Sequence, residues 1–183
     1  MSHVILIRHA APVIEPDRPS ETWGLSDDGR TATALLAQAL ARYAPRRILC
    51  GSEPKMAGTA KVLSEQLGIA VQHLGGLNEH TRRTTKFTDK AAFEAAIRAL
   101  FARPGEIVYG EESANMTYAR LAATLDSALV HEAGTVAAVT GGTALSIFLA
   151  RRTGAEAFTL WQGLRLPMAF VLARGTWAIE NVI

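Results

Sequence analysis

Short, unbroken apolar runs alternate along this chain with longer stretches in which apolar residues recur every three or four positions. The first run, Val4-Ile5-Leu6-Ile7, is aliphatic and mostly β-branched, the pattern of a strand covered on both faces. It stops at Arg8-His9, two polar residues that a buried strand does not otherwise tolerate. A proline-bearing loop follows from Pro12 to Pro19. Ser26 is then placed to cap a helix on which Leu35, Leu36, Ala39, Leu40 and Tyr43 share one face. Ile48-Leu49-Cys50 predicts a second short strand ending at Gly51, and Pro54 suits the first turn of a helix running to about Gly68.

From Gly75 to Lys90 the sequence is polar and without a period, which predicts a loop or a partly ordered cap. Phe93, Ile97, Leu100 and Phe101 form a helical stripe closed by Pro104-Gly105, and Leu121, Leu125, Ala128 and Leu129 mark a further helix. Val136 to Val139 predicts a third buried strand, broken by Gly141-Gly142 before a helix carrying Leu145, Phe148 and Leu149. Phe170-Val171-Leu172 and Trp177-Ala178-Ile179, separated by Gly175, predict a closing hairpin. Strands alternating with helices imply an α/β fold, a three-layer sandwich whose mostly parallel central sheet is covered on both faces. Ligands of such sheets bind outside the carboxyl ends of the strands. Arg8-His9, the loop after the second strand and the glycine pair after the third all collect there.

Length and composition narrow the picture further. The 183 residues suit one domain over 1–183, with a small cap or loop region at about 75–103 and no repeat or linker. Hydrophobic residues make up 49% and charged residues 20%, and the net charge of +2 is too small to argue for nucleic acid. The arginines are scattered, and the doublets Arg46-Arg47, Arg82-Arg83 and Arg151-Arg152 read first as solvated faces. Cys50 is the only cysteine, which excludes an intramolecular disulfide and argues against a structural zinc site. The apolar run after the N-terminus is too short for a signal peptide or a membrane span, so a cytoplasmic protein is expected. Nothing in the pattern fixes an oligomeric state.

Arg8-His9 is the strongest candidate for chemistry. Arginine presents a rigid fork of donors that matches phosphate oxygens in pairs. Histidine can attack phosphorus through one ring nitrogen while the other is held by a carbonyl. From the dipeptide alone, a salt-bridged arginine beside a strand-end histidine is an equal reading. The second element, Gly51-Ser52-Glu53-Pro54-Lys55-Met56-Ala57-Gly58-Thr59-Ala60, sets Lys55 at the start of a helix, where backbone N–H groups already favour an anion. An isolated lysine in that position also fits a plain surface residue.

Together these two segments resemble the histidine phosphatase superfamily, the phosphoglycerate mutase-like proteins. Leu6-Ile7-Arg8-His9-Ala10 is similar to the family's Arg-His-Gly signature, with alanine as the third residue, and the segment ending in Thr59-Ala60 resembles its second phosphate-binding segment, with Lys55 where many members have arginine. Trp23 to Arg30 resembles the lead-in to the first helix, Leu77-Asn78-Glu79 the segment supplying the general acid, and Gly110-Glu111-Glu112-Ser113 the region before a later helix. The resemblance implies a phosphoglycerate mutase-like fold and a phosphomonoester hydrolase acting in two steps. His9 would take the phosphoryl group while Glu79 protonates the departing alkoxide, and water would then hydrolyse phosphohistidine. Arg8 and Lys55 would hold the phosphoryl oxygens. It implies no metal and no cofactor, and a small-molecule phosphoester or phosphate as the partner.

One position departs from the pattern. Family members carry a second histidine after the third strand, where this chain has Val139-Thr140-Gly141-Gly142. Losing one comparable donor costs about 10²–10³ in rate, against total accelerations of about 10⁶ or far more. An enzyme of reduced activity is therefore expected, with a water in the vacated space or His80 as candidate substitutes. A non-catalytic phosphate-binding pseudophosphatase is the alternative from another class, and a phosphoglycerate mutase is a third. Dinucleotide and P-loop sites are disfavoured, because neither glycine pattern is present. Arg82 and Arg83 could meet an anionic part of a substrate, or simply face solvent.

Overall fold

The computed structural model describes residues 2–130 and 132–183. Six strands form one sheet: β1 (His3–Arg8), β2 (Arg47–Cys50), β3 (Val71–His73), β4 (Val136–Thr140), β5 (Met168–Ala173) and β6 (Ile179–Val182). Their spatial order is β3-β2-β4-β1-β5-β6. The pairs β3·β2, β2·β4 and β4·β1 are parallel, while β5 and β6 add an antiparallel edge. The expected α/β class with a mostly parallel sheet is what the chain forms.

The alternation within β1 sets the layers. Val4 and Leu6 point to one face, where they meet Leu121, Leu125 and Leu129 of α4 (Ala114–Leu129) and Leu145, Phe148 and Leu149 of α5 (Gly142–Thr153). Ile5 and Ile7 point to the other, against Leu36, Ala37 and Leu40 of α1 (Asp27–Leu40) and Met56, Ala60 and Leu63 of α2 (Pro54–Leu67). Both faces of the strand are therefore dry from Val4 to Ile7, which is why that run carries no polar residue.

Several local expectations need correction. On α1 the buried line runs through Thr33, Leu36, Ala37 and Leu40, while Leu35 is 63% exposed. Small residues on this helix, not only large ones, face the core; Thr33 tolerates burial because its hydroxyl donates to the Gly29 carbonyl. The closing hairpin is longer on its first strand and later on its second, because Trp177 adopts a left-handed φ of 61° and Ala178 joins the turn. The edge strand β3 and the short helix α6 (Ala157–Gln162) were not anticipated. Between a 3-10 turn at Gly75–Leu77 and α3 (Lys90–Ala102), the polar segment has no helix or strand. No helix among the described residues is long and apolar enough to cross a membrane.

Candidate active site

The carboxyl ends of β1, β2 and β4 are fastened to one another. The His9 N–H donates to the Thr140 carbonyl (3.1 Å), and the Gly51 N–H to the Val139 carbonyl (3.1 Å). The Ala10 N–H donates to Thr59 Oγ1 on α2 (3.0 Å), tying the turn after His9 to the second phosphate-type segment. Beyond these ends lies a cavity of about 380 Å³ whose wall includes Arg8, His9, Lys55 and Glu79. All four residues singled out in the sequence therefore meet in one place.

His9 is buried, and its Nδ1–H donates to the Ala10 carbonyl at 2.8 Å, so Nε2 is the nitrogen left for chemistry. Burial first, then the Lys55 ammonium, push its pKa down to about 3, so the imidazole is neutral. Arg8 donates from Nη1 to the Leu164 carbonyl (2.9 Å), while its buried Nε has no acceptor among the described residues. A Cβ on Gly142 would sit 2.9 Å from that Nε, so glycine there lets the guanidinium lie against the start of α5. Lys55 is buried and partly engaged: its ammonium donates to Glu53 Oε2 and the Ser20 carbonyl, each at 2.5 Å.

Glu79 occupies an unexpected position. Its carboxylate accepts from the Thr143 N–H (3.0 Å) and the Ala144 N–H (2.8 Å) at the start of α5, and from the His80 N–H (2.8 Å). Burial opposes ionisation, but Arg82 and these three donors outweigh it and hold the carboxyl at about 2. A Cβ built on Gly141 would fall 2.4 Å from Glu79 Cδ and 2.6 Å from its Cβ. The space expected to hold a water is thus filled by Glu79. His80 does not replace the second histidine either, since its Nε2 engages the Glu112 carbonyl (2.8 Å) and its ring stacks on Tyr109.

Four further residues shape this site: Glu53, Arg120, Glu112 and Arg82. Glu53 pairs with Lys55 and also accepts the Glu79 N–H at 2.7 Å, joining the two segments. Arg120 on α4 donates to the carbonyls of Gly76 (3.0 Å), Asn78 (2.8 Å) and Glu79 (2.7 Å) and to the Glu112 carboxylate (2.6 Å). Glu112 also accepts the Thr81 N–H, so the Gly-Glu-Glu-Ser segment clamps the Glu79 loop. Arg82 lines the cavity, with Nη2 3.9 Å from Glu79 Oε2 and its guanidinium 5.3 Å from the Phe93 ring centroid. Glu53 and Glu112 lie inside segments that the sequence singles out, and Arg82 reads there as either an anion contact or a solvated charge; Arg120 alone carries no sequence signal. Among the described residues, no group of three or more His, Cys, Asp and Glu is placed to hold a metal.

A mostly parallel sheet with a histidine and fixed cations at its carboxyl edge is the architecture of a phosphoryl-handling α/β protein. The model of the histidine phosphatase superfamily (branch 1) matches residues 4–171, and the chain belongs to that superfamily. Solved structures agree on the fold, which is that of the phosphoglycerate mutase-like phosphatases. A mycobacterial glucosyl-3-phosphoglycerate phosphatase in complex with inorganic phosphate is similar with a TM-score of 0.78 at 19% identity, covering 100% of this chain and 96% of that one. YhfR of Bacillus stearothermophilus gives 0.76 at 17%, covering 98% and 96%. The alpha-ribazole phosphatase of Shigella flexneri gives 0.71 at 17%, covering 99% and 95%. A comparison with curated proteins yields no match.

Proposed function

We propose that this chain hydrolyses phosphomonoesters through a phosphohistidine on His9, at a rate lowered by the absence of an imidazole at position 141. The observation that carries this reading is the neutral His9, pinned through Nδ1 and sharing its cavity with Arg8 and Lys55. In the first step Nε2 attacks phosphorus and the ester P–O bond breaks. The imidazolium so formed keeps its Nδ1–H on the Ala10 carbonyl, and the fixed cations carry the charge on the phosphoryl oxygens. In the second step water attacks phosphorus, the P–N bond breaks, and neutral His9 returns.

Glu79 is the proton carrier in this reading, and its ionised resting state sets a condition. An arriving phosphoryl group brings negative charge against Glu79 and competes for the donors that hold it ionised, which raises its pKa. A phosphomonoester with a second pKa of about 6 also brings a proton as its monoanion. Glu79 takes that proton, hands it to the departing alkoxide, and then accepts one from the attacking water.

The rest of the cavity describes the alcohol half of the substrate. Trp23 stands beside Phe87 (ring centroids 6.0 Å), and Phe93 packs edge-on against Trp161 (5.5 Å) and beside Tyr109 (6.1 Å), all on the cavity wall. We read this as a seat for a flat, apolar alcohol, covered by the 75–103 region acting as a cap on a single domain spanning 1–183. The test is turnover of an aryl phosphate by the wild type and by His9→Ala, with acid-quenched trapping of the phosphoenzyme. His9-dependent turnover and a trapped acid-labile phosphoryl group are expected; equal rates for the two proteins remove the hydrolase reading. One observation favours the pseudophosphatase instead: the α5 N–H groups that could serve an anion already hold Glu79. Metavanadate binding without any turnover is the outcome that selects it.

A further inference from the structure

Two buried donors on the cavity wall have no acceptor among the described residues, Nε of Arg8 and Nη1 of Arg82. A buried, unpartnered guanidinium N–H is costly, and native proteins keep such a group where something outside the chain completes it. Arg8 belongs to the phosphoryl-binding residues already described. Arg82 stands on the loop that follows Glu79, and its guanidinium lies against the Phe93 ring.

Position 141 explains why a donor is needed from this side. Glu79 fills the volume that a side chain at 141 would enter, so the end of β4 contributes none. Lys55 is already paired with Glu53, whereas Arg82 keeps a buried donor that is uncommitted among the described residues.

We infer that Arg82 is a further catalytic residue, donating to a phosphoryl oxygen from the cap side in place of the side chain that position 141 lacks. This rests on the phosphohistidine reading above. Arg8, Lys55 and Arg82 then approach the phosphoryl group as three fixed cations, matching the three oxygens over which charge spreads during transfer. The planar fork of Arg82, held on Phe93, is preorganised for that contact. Binding of substrate frees Arg82 from Glu79, which favours protonation of the carboxyl in the same event.

The experiment compares wild type, His9→Ala, Arg82→Gln, Arg82→Met and Arg82→Lys for hydrolysis of an aryl phosphate, with melting temperatures measured alongside. Met keeps the apolar stem over Phe93 and serves if Gln perturbs folding. Expected is a fall in kcat of about 10²–10³ for Gln and Met, a smaller change in KM, and kcat within about tenfold of wild type for Lys. Millimolar guanidinium should restore part of the kcat of the Gln variant while leaving His9→Ala inactive, a rescue that a merely structural role does not show. Loss of less than threefold in the Gln and Met variants overturns the inference, as does a loss that neither Lys nor guanidinium recovers. Hydrolysis that depends on His9 but not on Arg82 sinks this inference alone. Absence of any His9-dependent hydrolysis sinks the phosphatase reading and Arg82's catalytic role with it.

Discussion

Replacing Gly141 tests whether the Glu79 position is a real feature of the fold. A single methyl at 141 would sit 2.4 Å from Glu79 Cδ and 2.6 Å from its Cβ and Oε2, far inside ordinary contact. The neighbour is not the free end of a flexible chain, because the carboxylate is fixed by three backbone N–H donors and the Glu79 carbonyl by Arg120. Glu79 must therefore leave the start of α5, stranding the Thr143 and Ala144 donors. Overpacking costs about 1–3 kcal/mol, and loss of a carboxylate cap about 0.5–2 kcal/mol. Gly141→Ala should thus cost roughly 2–4 kcal/mol in all. For a domain of this size that is about 4–16 °C in Tm. Gly141→His should do no better, and should fail to raise turnover, because the imidazole would enter by expelling the proton carrier. The discriminating assay is a double-mutant cycle by calorimetry with Glu79→Gly, which removes the Cβ contact together with the carboxylate. Once Glu79 is truncated, the Gly141→Ala penalty should shrink by at least about 1 kcal/mol, the coupling expected of contacting residues. Additive effects, or a Gly141→Ala protein as stable as wild type, would refute the placement of Glu79 against residue 141.

Other consequences are open to the same kind of measurement. His9 is held neutral down to about pH 3, whereas an unfolded histidine takes a proton near 6.5. The unfolded state therefore binds more protons between those values, so stability should fall as pH drops below about 6.5, and His9→Asn should flatten that part of a denaturant-derived stability curve. Glu79, held at about 2, contributes stability above its ordinary value near 4.5 that disappears as pH falls towards 2; Glu79→Gln should weaken the acid dependence below about pH 4.5. Arg120→Ala removes the clamp on three successive loop carbonyls and strands Glu112, and should cost about 3–5 kcal/mol, as for removing one partner of a buried pair, with kcat falling alongside. Naphthyl phosphate should exceed a sugar phosphate in kcat/KM by about tenfold or more, given about 0.5–1.5 kcal/mol per aromatic contact. Trp161→Ala should erase much of that preference, chiefly through KM.

Features that depend on one element were legible in the sequence. Val4 to Ile7 reads as a doubly covered strand because burial on both faces leaves no polar alternation, and Arg8 marks where the sheet edge begins. Ser26 was readable as a cap, since its hydroxyl accepts the Gly29 N–H as its position predicts. Features that depend on two loops meeting were not legible. Leu35 and Leu36 are adjacent and equally apolar, and only the packing of α1 on α2 decides which is buried. Val71-Gln72-His73 pairs through its backbone at the sheet edge, where side chains carry little pattern. Arg82 lies in a segment without a period, and a charge there reads as solvated until the aromatic cavity wall is seen around it. The meeting of Glu79 with residue 141 spans 62 residues of sequence, and no local spacing encodes it.

The tethering of the Glu79 loop bears on how such a site works. Electrostatic stabilisation of a transition state is effective when donors need no reorganisation as charge develops. Here the loop is fixed from below by Arg120, from the side by Glu112 and Glu53, and at its tip by the α5 N–H groups. Those bonds form when the chain folds, so their ordering cost is met before substrate arrives. The same fixation places Arg82 three residues beyond Glu79 and against the cavity, where a freely moving loop would leave it in solvent. A glycine at 141 is then more than a missing side chain. It is the condition that lets the Glu79 loop approach the start of α5, with Arg82 on the wall of the cavity that holds His9.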